Sequence, residues 1–426
     1  MSLLIAVDQL QVGIYVQLDL HWMEHPFGFN SFKIKNEDQI RVLRQLGLEK
    51  VRYDPNRSSA KPLPLPAALG ATVPHPPPQE AASAVQVRDD PLIQAKRARA
   101  EYLQHYRQAV RRAERALHQA VQDVRNIFAK VSSYPAEARA EAEALIERVL
   151  NTLLLDQDAV IHALGGKEIS DALYHHGLNV TVLSLVMAKG LRMSAEDSKV
   201  LGLGALFHDM GLSEIPARIL RKTEPLTEAE YRLRQMHCEY GVALGRRLGL
   251  SPGVLEIIGQ HHETMDGSGY PNRLKGAETA PLARLVQVAN RYDSLCNPTV
   301  PTKAMSPHEA LSYMFAQQAA KHDPAMLRML IRCLGVYPPG TAVHLSNGAT
   351  ALVTSVNPVR PLKPVLMVYE PSVPKEEAIV IDLELDTEVH IASALHPGQL
   401  PRAICDYLCM RRHVSYYFGE GGTINA

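Results

Sequence analysis

A chain of 426 residues is longer than the roughly 250 to 300 residues that one hydrophobic core normally fills, so more than one domain is expected. Lysine plus arginine and aspartate plus glutamate both total 45, which excludes a global field for DNA, RNA or an anionic membrane and makes any phosphate site local. No run approaches the roughly eighteen uninterrupted apolar residues of a membrane span, and the five cysteines are scattered without zinc-like spacing, so reduced thiols in a cytoplasmic protein are expected.

The opening MSLLIAVDQLQVGIYV is apolar but lacks a basic start and meets Asp8 early, so it reads as a folded strand and not as a signal peptide. Residues 1–60 combine short apolar runs, the single tryptophan Trp22 and the amphipathic stretch NEDQIRVLRQLGLEKVRYD, the pattern of a small α+β module. Nine of the 29 prolines fall between Pro55 and Pro91, which makes residues 61–91 a Pro-rich, extended linker. A long connecting helix is predicted within 92–135, where Leu103, Tyr106, Val110, Ala113, Leu117, Val121 and Val124 recur at three- and four-residue steps. That stripe serves either a homodimeric coiled coil or packing on its own domain, and it sustains only about three heptads.

Residues 136–337 read as helix after helix, punctuated by SYP, GG, LSP and a glycine-rich turn, with hardly any alternating pattern. From 338 to 426 the period changes to two in GTAVHLSNGATALVTSV and PVLMVYEP, with Asn347-Gly348 as a hairpin turn and a short terminal helix around 398–413. The expected fold is mainly α: a helical bundle with a small N-terminal α+β module and a small C-terminal β appendage.

Within the helical region, histidines stand where a purely structural helix would place leucine. His208 and Asp209 interrupt LGLGALFHDMGL, His176 heads GLNVTVLSLVM, His237 falls in RQMHCEYG, and His261 with His262 ends VLEIIGQHH. A lone buried imidazole is usually a hydrogen-bonded core residue, but burying this many requires partners for all of them, and a shared metal centre supplies those. Neutral imidazoles with carboxylate oxygens suit iron, manganese or zinc, and Asp209 can bridge two metals through its two oxygens. Such a pair suits in-line displacement at phosphorus, hence phosphodiester or phosphomonoester hydrolysis.

His208-Asp209 together with HHETMDGSGYP at 261–271 resembles the HD-GYP branch of the HD metal-dependent phosphohydrolases. The similarity covers roughly 165–335 and continues through Pro216, Ile219-Leu220, Lys222, Leu226, His237 with Gly241, Arg284 and Tyr292-Asp293. VGIYVQLDLHW and PFGFNSF resemble the small domain of unknown function that often precedes such domains. The resemblance implies an all-α domain that hydrolyses cyclic di-GMP to pGpG or GMP, with His208 and Asp209 at its catalytic heart. It implies two divalent metals, iron or manganese first and zinc next: one on His176, His208 and Asp209 with Asn290 as a weak ligand, the second on Asp209, His237, His261 and His262. Asp266, Gly267, Ser268, Gly269, Tyr270 and Pro271 would rim the site and contact partners bearing diguanylate cyclase (GGDEF) domains.

The chain departs from the family pattern at four places. Ala172 stands where a glutamate often precedes the first histidine, which argues for two metals at most, and Leu212 stands where a lysine is expected near substrate phosphate. Asn290 replaces the aspartate that usually closes the first metal site, and Thr299-Val300-Pro301-Thr302 aligns with an R-P-Y-R run. The resemblance therefore implies a weakened phosphodiesterase, with two alternatives: a degenerate domain acting as a cyclic di-GMP receptor or protein-interaction module, or a phosphohydrolase for another nucleotide. Asp293 is not expected to replace Asn290 as a ligand, because it lies on a neighbouring helix face.

Overall fold

The structure is a computed structural model that describes residues 3–20, 25, 27, 30–64, 91–155, 160–165, 172–356, 362–371, 373–375, 378–385, 389–408 and 414–419. Trp22, Cys409 and the linker residues 65–90 lie outside the described residues. The chain divides into two units, residues 1–104 with 370–379 and residues 105–369 with 380–426.

The first unit contains the expected α+β module. Strands β1 (Leu3–Ala6), β2 (Tyr15–Gln17), β3 (Ser31–Lys33) and β4 (Lys50–Tyr53) form an antiparallel sheet in the order β1-β4-β2-β3. The helix Glu37–Gln45 starts at Asn36, whose side chain accepts the Gln39 N–H and so caps a backbone donor left free at the helix end. Its Ile40 and Leu43 share one apolar core with Ile5, Val16 and Val51 of the sheet and with Ile14 just before β2.

The long helix Pro91–Lys130 begins in the first unit and belongs to the second from residue 105 onward. Its stripe residues Ala113, Leu117, Val121 and Val124 are buried in the core shared with helices Pro135–Leu155, Ala172–Gly190 and Ala195–Phe207, so over this length the stripe is satisfied within one chain. The centre of the bundle is the helix Ala172–Gly190, buried continuously from Gly177 to Ala188, as expected of a helix apolar on all sides. Around it run Ala195–Phe207, Pro281–Cys296 and Pro324–Leu334, each opened by a serine or aspartate cap or by proline at its first turn.

The C-terminal strands form a larger sheet than the appendage expected. Strands β5 (Val160–Gly165), β6 (Ala342–Leu345), β7 (Thr350–Val356), β10 (Ile391–Leu395) and β11 (Val414–Gly419) lie in the order β10-β6-β7-β5-β11, and β8 (Val365–Val368) and β9 (Ile379–Asp382) extend it from β7. The Asn347-Gly348 turn joins β6 to β7, with Gly348 at a positive φ of 86°.

Two expectations are corrected. The segment 136–337 is not wholly helical, because β5 lies inside it; six residues are too few to show a period, and their partners β7 and β11 lie far along the chain. Nor is a helix the last element among the described residues: the helix there is Arg402–Tyr407, and β11 follows. Tyr416 of β11 is buried in the core of the helical bundle. Among the described residues no helix is long and apolar enough to cross a membrane.

Candidate metal centre

The five histidines that the sequence scatters over four segments converge on one carboxylate. His208 caps the end of helix Ala195–Phe207 and Asp209 follows it into a 3-10 turn, Met210–Glu214. His237 begins helix His237–Arg247, and His261 caps helix Pro252–Gln260. His176 lies in the first turns of Ala172–Gly190. Asp209 Oδ1 lies 3.3 Å from His237 Nε2 and 3.5 Å from His261 Nε2, and Oδ2 lies 3.5 Å from His208 Nε2 and 3.7 Å from His176 Nε2. The ligand atoms of Asp209, His237, His261 and His262 fall within 4.8 Å of one another, as do those of His176, His208 and Asp209. Asp209 belongs to both groups.

The tautomers follow from the outer partners. The Nδ1 atoms of His208, His237 and His261 lie 2.6, 2.6 and 2.8 Å from the carbonyl oxygens of Ala205, Arg234 and Ile258. His176 Nδ1 lies 2.6 Å from Asp293 Oδ2. Carbonyls and carboxylates only accept, so each Nδ1 carries a proton and donates it, and each Nε2 of a neutral ring presents a lone pair inward. Yet His176 Nε2 faces His208 Nε2 at 3.2 Å, and His237 Nε2 faces His261 Nε2 at 3.3 Å. Lone pairs so placed repel unless a cation or a proton stands between them. An Nδ1–H bonded to a carbonyl or carboxylate is also the usual outer partner of a metal-ligating imidazole. The donor set therefore fits divalent metals.

Electrostatics point the same way. Burial would raise the Asp209 carboxyl, but the surrounding imidazoles of His208, His237 and His261 hold it well below its ordinary value. Burial opposes a charge on His237, yet its bond to Asp209 pushes it up to about 10. Burial holds His261 down at about 4 and holds His262 well below the ordinary imidazole value, the neighbouring imidazoles adding to the effect. Burial also works against a proton on His176, but the Asp293 bond raises it on balance. One anion among crowded imidazoles calls for added positive charge, and the metal-free cluster can draw it only from protons.

The loop after the histidines is built onto them. The Tyr270 ring stacks on His262 at a centroid distance of 4.5 Å, and the Tyr270 N–H donates to the His262 carbonyl at 3.3 Å. Asp266 Oδ1 accepts the Ser268 N–H and the hydroxyls of Thr264 and Ser268. Gly267 adopts a φ of 77°, and a Cβ on Gly269 would lie 2.5 Å from the His262 carbonyl oxygen, which accounts for both glycines. Pro271 follows through a cis peptide bond. Glu263, 2% exposed, accepts the N–H groups of Asn272 and Leu274 and ties the far side of the loop back to the histidine pair.

The remaining expected residues fall in distinct places. Asn290 is buried beside His176, where it helps to raise that imidazole's pKa, and accepts the Ser294 hydroxyl. Leu212 packs in an apolar cluster with Ile215 and Ile219. Thr299 and Thr302 are exposed, and Ala172 opens its helix. Asp293, set aside as a ligand, is the fully buried partner of His176. Sequence reasoning missed that role, as it missed Glu263 and Asn179, although Asn179 and Asp293 are among the polar residues on buried helix faces.

The chain that carries this cluster resembles known proteins. A family profile described as an HD domain matches residues 150–326, and one described as a domain of unknown function, DUF3391, matches residues 2–142. Cyclic di-GMP phosphodiesterase PA4108 of Pseudomonas aeruginosa is 28% identical over 362 residues, which are 82% of this chain and 80% of that protein. The chain carries an HD domain behind a DUF3391 domain and is homologous to HD-GYP cyclic di-GMP phosphodiesterases. The chain is also 36% identical over 151 residues to the cyclic di-GMP phosphodiesterase response regulator RpfG of Xanthomonas campestris pv. campestris, spanning 34% of this chain and 39% of the relative. It is 31% identical over 163 residues to 3'3'-cGAMP-specific phosphodiesterase 3 of Vibrio cholerae, spanning 38% of this chain and 35% of the relative.

Proposed function

We propose that this protein is an HD-GYP metal-dependent phosphodiesterase that hydrolyses cyclic di-GMP to pGpG or GMP. The observation that carries this reading is the convergence of imidazole Nε2 lone pairs from His176, His208, His237 and His261 on the two oxygens of Asp209. The substrate comes from the activity for which PA4108 and RpfG are named, cyclic di-GMP phosphodiesterase. His176, His208 and Asp209, with Asn290 beside them, would hold one divalent metal; Asp209, His237, His261 and His262 would hold the second. Two such metals, iron or manganese first and zinc next, supply Lewis acidity that lowers the pKa of a water and offsets charge on phosphate oxygens.

The chain's own residues orient and shield. Carbonyls of Ala205, Arg234 and Ile258 and the carboxylate of Asp293 fix the imidazole tautomers. Tyr270 covers one face of His262, while the exposed Asp266 and Ser268 offer a polar surface on which a GGDEF-domain partner would dock. Asn290 brings no charge, so metal affinity should be weaker than an aspartate would give.

A second substrate is favoured by one observation: the position where the family's lysine is expected holds Leu212 inside an apolar cluster, and Thr299 and Thr302 supply no cation. A site so stripped would read phosphates less strictly, and a relative is named for 3'3'-cGAMP. The test is metal analysis of anaerobically purified protein, followed by chromatography of products from cyclic di-GMP and 3'3'-cGAMP with ferrous or manganous ion. Two metals per chain with pGpG or GMP as product is the expected result. Bound metal with both dinucleotides intact would replace the enzyme by a receptor or interaction module.

A further inference from the structure

The C-terminal strand reaches the metal centre from behind, through a chain of buried hydrogen bonds. The backbone N–H of Tyr416 in β11 donates to Asn179 Oδ1 at 3.1 Å. Asn179 Nδ2 donates to Asp293 Oδ1 at 2.8 Å, and Asp293 Oδ2 accepts from His176 Nδ1 at 2.6 Å. Asn297 Nδ2 also donates to Asp293 Oδ1, at 2.8 Å. Asn179, Asp293 and Tyr416 are 2%, 0% and 0% exposed. In such a setting a carboxylate has no water to turn toward, so its donors set its orientation.

Both ends of this connection are anchored. The Tyr416 hydroxyl lies 3.0 Å from the Tyr292 hydroxyl, one residue before Asp293, and the Ser415 hydroxyl lies 3.2 Å from His175 Nδ1, one residue before His176. The strand thus bonds to helix Ala172–Gly190 at His175 and Asn179, which bracket His176, and to helix Pro281–Cys296 beside Asp293. Asn179 cannot be read as a routine core residue, since its amide faces an acceptor on one side and a donor on the other.

We propose that Asn179 is a positioning residue of the His176 half of the centre, and that β11 is the brace that holds it. The bond from β11 comes from main chain, so the brace depends on the strand's position and register and not on the side chain at 416. The strand lies beyond the 150–326 segment matched by the HD profile, so a device outside that segment completes the site. This inference rests on the binuclear reading above and deepens it: one metal, and not the other, is held through the brace.

The test uses the full-length protein and reads metal and not turnover. Asn179→Ala removes both bonds; Asn179→Asp keeps the acceptor for Tyr416 but loses the donor to Asp293. Apo-protein is titrated with manganous ion alone, with stoichiometry and affinity read at each step and folding followed by circular dichroism. Both variants are expected to bind one metal as wild type does and the other roughly 10- to 100-fold more weakly, the scale of lost outer-shell support. Tyr416→Phe, which leaves the N–H in place, is expected to bind both metals as wild type does. Should Asn179→Ala fail to fold, the near-isosteric Asn179→Asp decides. Wild-type affinity at both steps in a folded Asn179 variant would overturn the positioning role, as would equal loss at both steps. A wild-type protein that takes up no metal would instead overturn the binuclear reading on which the role depends.

Discussion

Replacing Gly211 by alanine tests whether the centre depends on two backbones meeting without side chains between them. Gly211 sits two residues after Asp209, in the 3-10 turn packed on the start of helix His237–Arg247. A Cβ there would lie 2.0 Å from the His237 carbonyl oxygen and 2.5 Å from the Gly241 nitrogen, where ordinary contact begins at 3.4 Å. Both obstacles are main chain, so no rotamer change relieves them and the turn and helix must part by about 1 Å or more. Overpacking of this kind costs about 1 to 3 kcal/mol, and a backbone clash belongs at the upper end. The same displacement separates Asp209 from His237, now 3.3 Å apart, and a 1 Å error at reacting groups costs on the order of 100-fold in rate. Urea unfolding of Gly211→Ala should therefore show a loss of about 3 kcal/mol, and manganous titration should show weakened binding at the group containing His237. Unfolding within about 0.5 kcal/mol of wild type, with wild-type metal affinity, would refute the reasoning.

Asn290→Asp adds a carboxylate beside His176 and should raise affinity for one metal at least about 10-fold in competition with a chelator. Glu263→Gln leaves only one oxygen to accept the N–H groups of Asn272 and Leu274, at 2.7 and 3.0 Å in the native protein. Losing that charge-assisted pair should cost about 1.5 to 3 kcal/mol locally, read as hydrogen exchange about 10- to 100-fold faster at those two amides. His322 is buried, bonds to Gln287 Oε1 through Nδ1 and leaves Nε2 without a partner; burial first, then the charges of Arg291 and Lys321, hold it down at about 4. Between pH 6.5 and 4 the unfolded chain takes a proton that the folded ring refuses, so the stability present above 6.5 falls by up to about 3 kcal/mol as pH drops. Melts of wild type and His322→Gln across that range should show the wild-type advantage shrinking with acidity; a constant difference would assign the shift elsewhere.

The helices were legible because each carries its own signal within a few turns. The stripe from Leu103 to Val124 and the proline or serine starts at Ser194, Pro252, Pro281 and Pro307 are local facts that fix local structure. Strand β5 was not legible, because VIHALG is equally a buried helix turn or a strand until β7 and β11 pair with it. The same holds for β11: VSYYFG follows a short helix, and nothing near it in sequence states that Tyr416 enters the helical core.

At the candidate centre the division runs between the proposed ligands and their supports. His208-Asp209 and His261-His262 stand out because a buried imidazole is costly without partners, so the residue type alone announces a site. Their supports announce nothing. Three of the Nδ1 partners are carbonyls, which every residue carries, and Asp293 was judged by its helix face and not by what packs against that face. Asn179 likewise becomes meaningful only once β11 supplies the N–H it accepts. A metal site is thus written twice, in local residue types that name the donors and in long-range packing that aims them. The Asn290 question therefore cannot be decided at position 290 alone: the charge it lacks is set against an Asp293–Asn179–β11 brace that holds His176 in place. If that brace is firm, the first metal needs less from residue 290, and a chain with asparagine there can keep a working pair.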